Sequence, residues 1–216
     1  MQVFVVAGSP EARRPRDLAP QPGDYVIAAD LGARHALCWG WSIDLLVGDL
    51  DSLSPDEARQ IERSGTPTLR AAAAKDETDT ELALQHALAL APEKIIICAA
   101  TAGRTDHLLA NVLLLARPRL ASADIRLVND GETLCLLQAE GQEALLDVEG
   151  GTGDLLSLLP LGGDAVGVST QGLLYPLDAE TLYEGHARGM SNVLTGPRAQ
   201  IGLRRGRLLV IHNRKE

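Results

Sequence analysis

Short apolar runs alternate with amphipathic stretches through the first half of the chain. The apolar runs, which predict strands, lie at residues 2–7, 24–29, 44–48, 66–71 and 94–100. The amphipathic stretches, which predict helices, lie at residues 31–40, 54–65, 78–91 and 105–117. Ser54 and Pro55, followed by Glu57, form a typical helix start. Strands that alternate with helices indicate a parallel, Rossmann-like α/β sheet covered on both faces.

The pattern changes between about residues 123 and 140. The apolar runs from here on are short and broken by Gly, Asp and Asn, and no amphipathic helix separates them; they are DIRLVND, TLCLLQ, ALLDVE, DLLSLLPLG, AVGVSTQG, QIGLRRG and RLLVIHN. This predicts an antiparallel β-sandwich and two domains, residues 1–130 and 131–216. Segment 8–23 is rich in Pro and Arg without periodicity, and we predict a surface loop there in preference to a phosphate-binding lid.

Composition and charge narrow the class of protein. The formal net charge of −9 argues against a general nucleic-acid binder, which needs a basic face, but allows an anionic substrate accompanied by metal ions. No stretch approaches the ~20 apolar residues of a membrane span, and the N-terminal run is interpreted as a first strand and not as a signal peptide. The three cysteines are far apart, which predicts buried, reduced thiols and a cytoplasmic protein.

Acidic residues follow four consecutive predicted strands, and ligands bind at the carboxyl ends of parallel strands. The first two strand ends carry Asp30 and the pair Asp49 and Asp51. In an extended segment the carboxylates of Asp49 and Asp51 face the same side, as a Mg²⁺ site requires. The alternative is a turn in which Asp51 or Ser52 caps the next helix. A shared acidic site is the simplest interpretation.

The next two strand ends combine acids with cations. In KDETDTE, Asp76 and Asp79 share a helix face if the helix has begun, and Lys75 can hold a phosphate. The alternative there is a helix capping box from Thr78 to Glu81.

In TAGRTDH, the helix start beside Arg104 predicts an anion site. The alternative is that Thr105 or Asp106 is only an N-cap and that His107 packs on the first turn. None of the histidines has zinc-ligand spacing, and the chain has no P-loop fingerprint and no GxSxG elbow.

Five blocks in this order resemble the thiamine pyrophosphokinase family: GDLDS (48–52), KDETDTELAL (75–84), AGRTDHLLAN (102–111), GLLYPLDAETL (172–182) and GMSNVLTG (189–196). The resemblance implies an α/β catalytic domain followed by a β-sandwich. It also implies a homodimer whose active sites lie between the catalytic domain of one subunit and the β domain of the other. The implied reaction moves a diphosphate group from ATP to the hydroxyl of thiamine with Mg²⁺, giving thiamine diphosphate and AMP.

The resemblance also implies roles for particular residues. Mg²⁺ binding or orientation of the thiamine hydroxyl falls to Asp49, Asp51, Asp76 and Asp79. Contacts with ATP fall to Lys75, Gly103, Arg104, Asp106 and His107, with Asp30 near the nucleotide. Thiamine contacts fall to Ser191 and Asn192. Apart from the resemblance, Tyr175 or a tryptophan is available to stack on a ring of thiamine, but core packing is the favoured interpretation for each. The chain departs from the family pattern at Leu31, Ala102 and Val193.

Two other functions remain open at this point. One is diphosphate transfer to another heterocyclic alcohol, such as a hydroxymethylpterin. The other is a thiamine or nucleotide sensor without catalytic activity on the same scaffold. The full set of acids at 49, 51, 76 and 79 argues against a sensor, because a binding protein need not keep a metal cluster.

Overall fold

The structure is a computed structural model that describes residues 1–10, 12–16, 18–48, 53–70, 76–117 and 124–215. The chain divides into two units. The first comprises Met1–Leu114 and Ser122–Asp130, and the second comprises Leu115–Ala121 and Gly131–Glu216.

The first unit is a parallel sheet with helices. Its strands are β1 (Gln2–Val6), β2 (Tyr25–Ala29), β3 (Leu45–Val47), β4 (Thr68–Leu69), β5 (Lys94–Cys98) and β6 (Asp124–Asn129). Its helices are α1 (Gly32–Cys38), α2 (Pro55–Ser64), α3 (Asp79–Ala89) and α4 (Thr105–Leu114). The strand order is β6-β5-β1-β2-β3-β4, and every neighbouring pair is parallel. The predicted parallel α/β sheet is confirmed.

Strand β1 lies at the centre of this sheet and is nearly continuous apolar sequence. Phe4, Val5 and Val6 are each at most 1% exposed. Strands β2, β3 and β4 follow on one side of β1, whereas β5 and β6 lie on the other side. The order therefore reverses between β1 and β5, and in open α/β sheets such a switch point is where ligands bind.

Polar side chains set the starts of two helices. The Ser54 side chain accepts a hydrogen bond from the Glu57 N–H, and the Glu57 carboxylate accepts one from the Ser54 N–H, so α2 opens with the capping box that its sequence predicts. Gly65 ends α2 with a φ of 71°. The Thr78 hydroxyl accepts from the Glu81 N–H and caps α3.

The second unit is antiparallel. Its strands are β7 (Glu132–Glu149), β8 (Leu155–Pro160), β9 (Ala165–Gln171), β10 (Glu180–Leu182), β11 (Asn192–Val193) and β12 (Arg198–Asn213). Strand β12 pairs with β7 along its length, with β9 through its first half and with β8 through its second half. A register shift between Leu203 and Arg205 marks a bulge between these halves, and one buried core joins residues from both, including Leu156, Val168 and Ile201.

Several predictions about elements were wrong in detail. DIRLVN at 124–129 is the parallel strand β6 of the first unit, not the start of the antiparallel segment. The runs TLCLLQ and ALLDVE belong to the single strand β7, and QIGLRRG and RLLVIHN belong to β12. Strand β4 has two residues where six were expected. Cys38 is exposed, whereas Cys98 is buried as predicted, and all three cysteines are free thiols.

No helix in the described part of the chain is long and apolar enough to cross a bilayer.

Candidate active site

A cleft of about 350 Å³ opens at the switch point between β1 and β5. It is lined by Ala7, Gly8, Ser9, Pro10, Ala29, Asp30, Glu77, Thr78, Asp79, Thr80, Ala102, Arg104, His107 and Asn111. The residues come from the ends of β1 and β2, from the start of α3, from the β5–α4 connection and from α4 itself. Three acidic side chains thus share one cleft with an arginine and a histidine. Such a mixture suits a phosphate-bearing ligand accompanied by a cation.

Asp30 lies at the cleft in an unusual backbone conformation. Its φ is 49°, its N–H donates to the Val47 carbonyl at 2.8 Å, and its carbonyl accepts from the Ala33 N–H at 3.1 Å. Gly48, at the end of β3, has a φ of 141°, and a Cβ added to it would lie 3.2 Å from the Asp30 Cα. The ends of β2 and β3 therefore meet closely, directly before the segment that carries Asp49.

Asp79 is the first residue of α3 and lines the cleft. A carboxylate in this position is favoured by the partial positive charge of the helix start. Asp76 is exposed and precedes the helix, whose N-cap is Thr78. The condition for Asp76 and Asp79 to share a helix face is therefore not met, and of the two only Asp79 lines the cleft.

Arg104 and His107 line the same cleft, and Asp106 holds Arg104. Arg104 donates from Nη2 to Asp106 Oδ2 at 2.6 Å and from Nε to Oδ1 at 3.1 Å. The His107 N–H donates to Asp106 Oδ1 at 2.9 Å. The Arg104 hydrogen bonds lower the pKa of Asp106 to about 2, against an opposing effect of desolvation. Asp106 therefore stays ionised and orients the guanidinium at the cleft margin.

Backbone geometry explains which positions near the cleft need glycine. Gly103 has a φ of 84°, and an added Cβ would lie 2.5 Å from Pro10 Cγ. A Cβ on Gly32 would lie 1.9 Å from the Val6 carbonyl oxygen, so α1 can pack on β1 only with glycine there. Leu31 has a φ of −56°, and Ala102 has no positive φ. Neither departure from the family pattern thus strains the backbone.

Three of the predicted residues, Asp49, Asp51 and Lys75, lie outside the described residues. The described residues nevertheless test the alternative that Asp51 or Ser52 caps the next helix. Helix α2 is capped by Ser54, so capping by Asp51 or Ser52 does not account for the GDLDS block. Among the side chains that the structure does describe, no group of three or more His, Cys, Asp or Glu is placed to hold a metal ion.

The residues at the end of β1 belong to the cleft, although the sequence pattern predicted only a surface loop there. Residues 8–10 line the cleft, and Ser9 is only 8% exposed, so the surface-loop prediction for segment 8–23 is wrong at its start. Ser9 is also fixed from both sides, because its N–H donates to the Ala99 carbonyl and its carbonyl lies 2.8 Å from His35 Nε2. The signal was available, since β1 is an apolar run of the parallel sheet and its carboxyl end faces the same edge as the others.

Asn111 was also missed. It is 7% exposed, lines the cleft and donates from Nδ2 to the Ala100 carbonyl at 2.9 Å. This bond ties α4 to the end of β5, where Ala102 and Arg104 follow. The signal for Asn111 was a polar residue inside the apolar helix sequence LLANVLLL.

In the second unit the two C-terminal blocks lie side by side. The Leu174 N–H donates to the Val193 carbonyl at 2.9 Å, and the Thr195 N–H donates to the Gly172 carbonyl at 3.0 Å. Ser191 is exposed with a φ of 53°, and its N–H donates to Ser157 Oγ at 3.0 Å.

The side chains of this region differ sharply in exposure. Asn192 is 4% exposed, whereas Tyr175 is 59% exposed. Core packing is therefore excluded for the Tyr175 ring. It is the better interpretation for Trp41, which is 6% exposed and packs edge-on against Phe4.

Comparison with known proteins covers nearly the whole chain. Residues 20–145 match the family model "Thiamin pyrophosphokinase, catalytic domain", and residues 143–208 match "Thiamin pyrophosphokinase, vitamin B1 binding domain". The thiamine pyrophosphokinase of Bacillus subtilis is 30% identical over 214 residues, which is 98% of each chain.

Solved structures agree with these matches. A crystal structure of thiamine pyrophosphokinase from Bacillus subtilis superposes with a TM-score of 0.86 at 27% identity, over 100% of both chains. A thiamin pyrophosphokinase family protein from Enterococcus faecalis gives 0.85 at 29% identity, again over 100% of both chains. The thiamin pyrophosphokinase of yeast shares the fold at 13% identity, with a TM-score of 0.72. By these matches and by the blocks that meet in each unit, the chain belongs to the thiamine pyrophosphokinase family.

Proposed function

We propose that the protein transfers the terminal diphosphate group of ATP to the hydroxyl of thiamine, giving thiamine diphosphate and AMP. The observation that carries this proposal is the convergence of Asp30, Asp79, Arg104 and His107 on one cleft at the sheet switch point, in a chain of this family. The thiamine oxygen attacks the β-phosphorus, the bond to the α-phosphate oxygen breaks and AMP leaves. Transfer of this kind depends on positioning and on charge stabilisation more than on covalent catalysis.

In this proposal the β5–α4 connection binds the phosphates of ATP. Arg104 is oriented by Asp106 and directly precedes α4, whose N-terminal end favours an anion, although the His107 N–H there already donates to Asp106. Gly103 lies close against Pro10, which lines the cleft together with Arg104. We assign contacts with ATP to Lys75 and His107 as well, with Asp30 near the nucleotide.

Mg²⁺ is the metal that fits the donors of this cleft. Asp30 and Asp79 offer carboxylate oxygens, which hard divalent cations prefer, and Gly48, which directly precedes Asp49 in the sequence, lies close to Asp30. We propose that Asp49, Asp51, Asp76 and Asp79 hold Mg²⁺ or orient the thiamine hydroxyl. The bound ion would neutralise charge on the triphosphate, which a protein of net charge −9 needs. An aspartate of the 76/79 pair takes the hydroxyl proton as general base.

Thiamine belongs to the second unit in this proposal. We assign Ser191 and Asn192 to the thiamine-binding site. The exposed ring of Tyr175 stacks on the cationic substrate. Residues 1–130 then form the domain that binds ATP and Mg²⁺, and residues 131–216 form the thiamine-binding domain. We further propose a cytoplasmic homodimer in which each active site combines the catalytic domain of one subunit with the β domain of the other.

The first test identifies both products. Purified protein mixed with Mg²⁺, ATP and thiamine should release AMP and thiamine diphosphate in equal amounts. Release of ADP would contradict diphosphate transfer. Turnover with a hydroxymethylpterin and not with thiamine would support the alternative substrate class.

A second test separates an enzyme from a sensor. Asp51→Asn and Asp79→Asn should each lower kcat by roughly 100-fold or more while leaving the far-UV circular dichroism unchanged. Asp56→Asn is the matched control, because Asp56 is an exposed aspartate of α2 away from the cleft, and it should keep wild-type turnover. Unchanged turnover in Asp51→Asn would refute the role assigned to that residue.

A further inference from the structure

Asn192 is bonded to both backbone groups of one residue in a neighbouring loop. Its Oδ1 accepts from the Tyr175 N–H at 3.0 Å and from the Val193 N–H at 2.9 Å, and its Nδ2 donates to the Tyr175 carbonyl at 2.7 Å. A carboxamide offers two acceptor and two donor positions, so three of the four are used by the backbone. With Asn192 only 4% exposed, this side chain is committed to the protein itself.

The loop that Asn192 holds is fixed on both sides of Tyr175. The Leu174 N–H donates to Val193, and the Leu177 N–H donates to Thr170 Oγ1 at 2.9 Å. Leu173 and Leu177, on either side, are 6% and 4% exposed. The Tyr175 ring projects from this fixed loop at 59% exposure, so the loop presents the ring and does not bury it.

We infer that Asn192 is a positioning residue that acts on thiamine through Tyr175, and that it does not contact the substrate. This inference rests on the proposed function and divides the roles of two neighbouring residues. Ser191 is exposed and available to a ligand, whereas the Asn192 carboxamide fixes the backbone from which the aromatic ring extends. An aromatic face held in place attracts a cationic ring without first losing conformational entropy.

A double-mutant cycle tests the inference. The variants are Asn192→Ala, Tyr175→Ala and the double substitution, and the readouts are kcat and the KM values for thiamine and ATP, measured by AMP release. We expect each single variant to raise the KM for thiamine by about tenfold. We expect the KM for ATP to stay within about twofold, because the loop lies in the second unit. The double variant should match Tyr175→Ala, since Asn192 has no effect once the ring is gone.

Direct contact between Asn192 and thiamine predicts a different result. The two increases in KM would then multiply, to about 100-fold in the double variant, and the inference would be wrong. Equal increases in both KM values would also overturn it, because they would indicate general destabilisation. If Asn192→Ala does not fold, Asn192→Asp replaces it, since it keeps the Oδ1 acceptor but loses the donor to Tyr175. The same cycle then applies.

The proposed function has its own readout in this experiment. If the wild-type protein forms no AMP from ATP and thiamine, the proposed function and the inference both fail. If the wild type is active and the cycle is multiplicative, only the inference fails.

Discussion

Asp154 is a buried carboxylate with three hydrogen-bonding neighbours. It is 5% exposed and accepts hydrogen bonds from the N–H groups of Gly151 and Lys215, at 2.8 and 2.9 Å, and it lies 2.9 Å from His212 Nε2. Burial alone would raise the pKa of Asp154, but these bonds together outweigh burial and lower it. The carboxylate therefore ties the 150–154 turn to the end of β12.

Replacing Asp154 should destabilise the second unit strongly. Asp154→Asn leaves the buried His212 without its carboxylate and places an amide where two N–H donors need an acceptor. We expect a loss of about 3 kcal/mol in the free energy of unfolding at pH 7, measured by urea denaturation. The control is Asp147→Asn. Asp147 is an exposed residue of β7 whose side chain, within the described residues, accepts a hydrogen bond from Gln200. This substitution should change the free energy of unfolding by less than about 0.5 kcal/mol.

The same variant carries a pH prediction. Because the folded-state pKa of Asp154 lies below its ordinary value of 3.8, its contribution is complete above that value and is lost as the pH falls through the folded pKa. The stability difference between wild type and Asp154→Asn should therefore shrink below about pH 4. A difference that stayed constant down to pH 2 would contradict the assignment.

Gly103 shows why a glycine is needed at the cleft. Gly103→Ala adds a methyl group 2.5 Å from Pro10 Cγ at a φ of 84°, whereas Gly40→Ala meets nothing within 4 Å at a φ of 73°. Both variants should lose about 1 kcal/mol from the left-handed backbone. Only Gly103→Ala should also raise the KM for ATP, by displacing Pro10 or the Arg104 turn. Equal behaviour of the two variants in steady-state assays would show that the Pro10 contact has no role.

At the scale of elements, the start of helix α2 combines a local hydrogen-bonding motif with an ion pair to another helix. Its sequence predicts the capping box of Ser54 and Glu57, and the structure confirms it. The sequence does not reveal that Glu57 also accepts two hydrogen bonds from Arg34 of α1, at 2.7 and 3.1 Å. The Arg34 bonds, aided by those from Ser54 and opposed by desolvation, lower the pKa of Glu57 to about 2.

The ion pair between α1 and α2 predicts a defined acid response. Glu57→Gln keeps a residue suited to the capping box but removes the charge that faces Arg34. At pH 7 we expect a loss of about 1 kcal/mol in unfolding free energy. The folded pKa is lowered, so this difference should be complete above the ordinary value of 4.5 and vanish as the pH falls to about 2.

Its control lies on the same helix. Glu62→Gln, at an exposed position of α2, should change the unfolding free energy by less than about 0.5 kcal/mol. A Glu57→Gln effect that is as small as that of Glu62→Gln, or one that persists unchanged at pH 2, would contradict a stabilising ion pair.

Local signals account for what the sequence predicted of these elements. Ser54 and Thr78 mark helix starts because a capping side chain bonds within three residues of itself. Whether a strand is parallel depends on its partner, and that partner is often distant in sequence. DIRLVN therefore resembled the antiparallel runs that follow it, but it pairs in parallel with β5. The sequence pattern predicted two runs in place of each of the long strands β7 and β12, with the breaks near Gly141 and Gly206. The positive φ angles of these glycines bend a strand without ending it.

The residues of the cleft, like the elements, were predicted where a local pattern indicated them and missed where it did not. Asp30, Asp79 and Arg104 were found because strand ends share one edge of a parallel sheet. Residues 8–10 and Asn111 were missed because their roles arise from backbone packing and not from charge. The long-range bonds of Asn192 to Tyr175, 17 residues apart, have no counterpart in any local sequence pattern.

At the scale of the whole molecule, the proposal places ATP on one unit and thiamine on the other. The proposed homodimer has a distinctive consequence, because each active site would need one unit from each subunit. Two variants that are defective in different units would then complement each other when mixed. Asp79→Asn disables the ATP side, and the combined substitution of Tyr175 and Ser191 by Ala, both exposed residues, disables the thiamine side.

Mixing these two variants after partial unfolding and joint refolding should restore activity. At equal amounts, half of the dimers contain one subunit of each kind, and one of the two sites in such a dimer has both intact units. About one quarter of wild-type activity is therefore expected. Each variant refolded alone is the control and, assayed at a thiamine concentration near the wild-type KM, should keep only about a few per cent of wild-type activity. If each active site lay within a single subunit, or if the protein were a monomer by light scattering, the mixture would remain as inactive as its components.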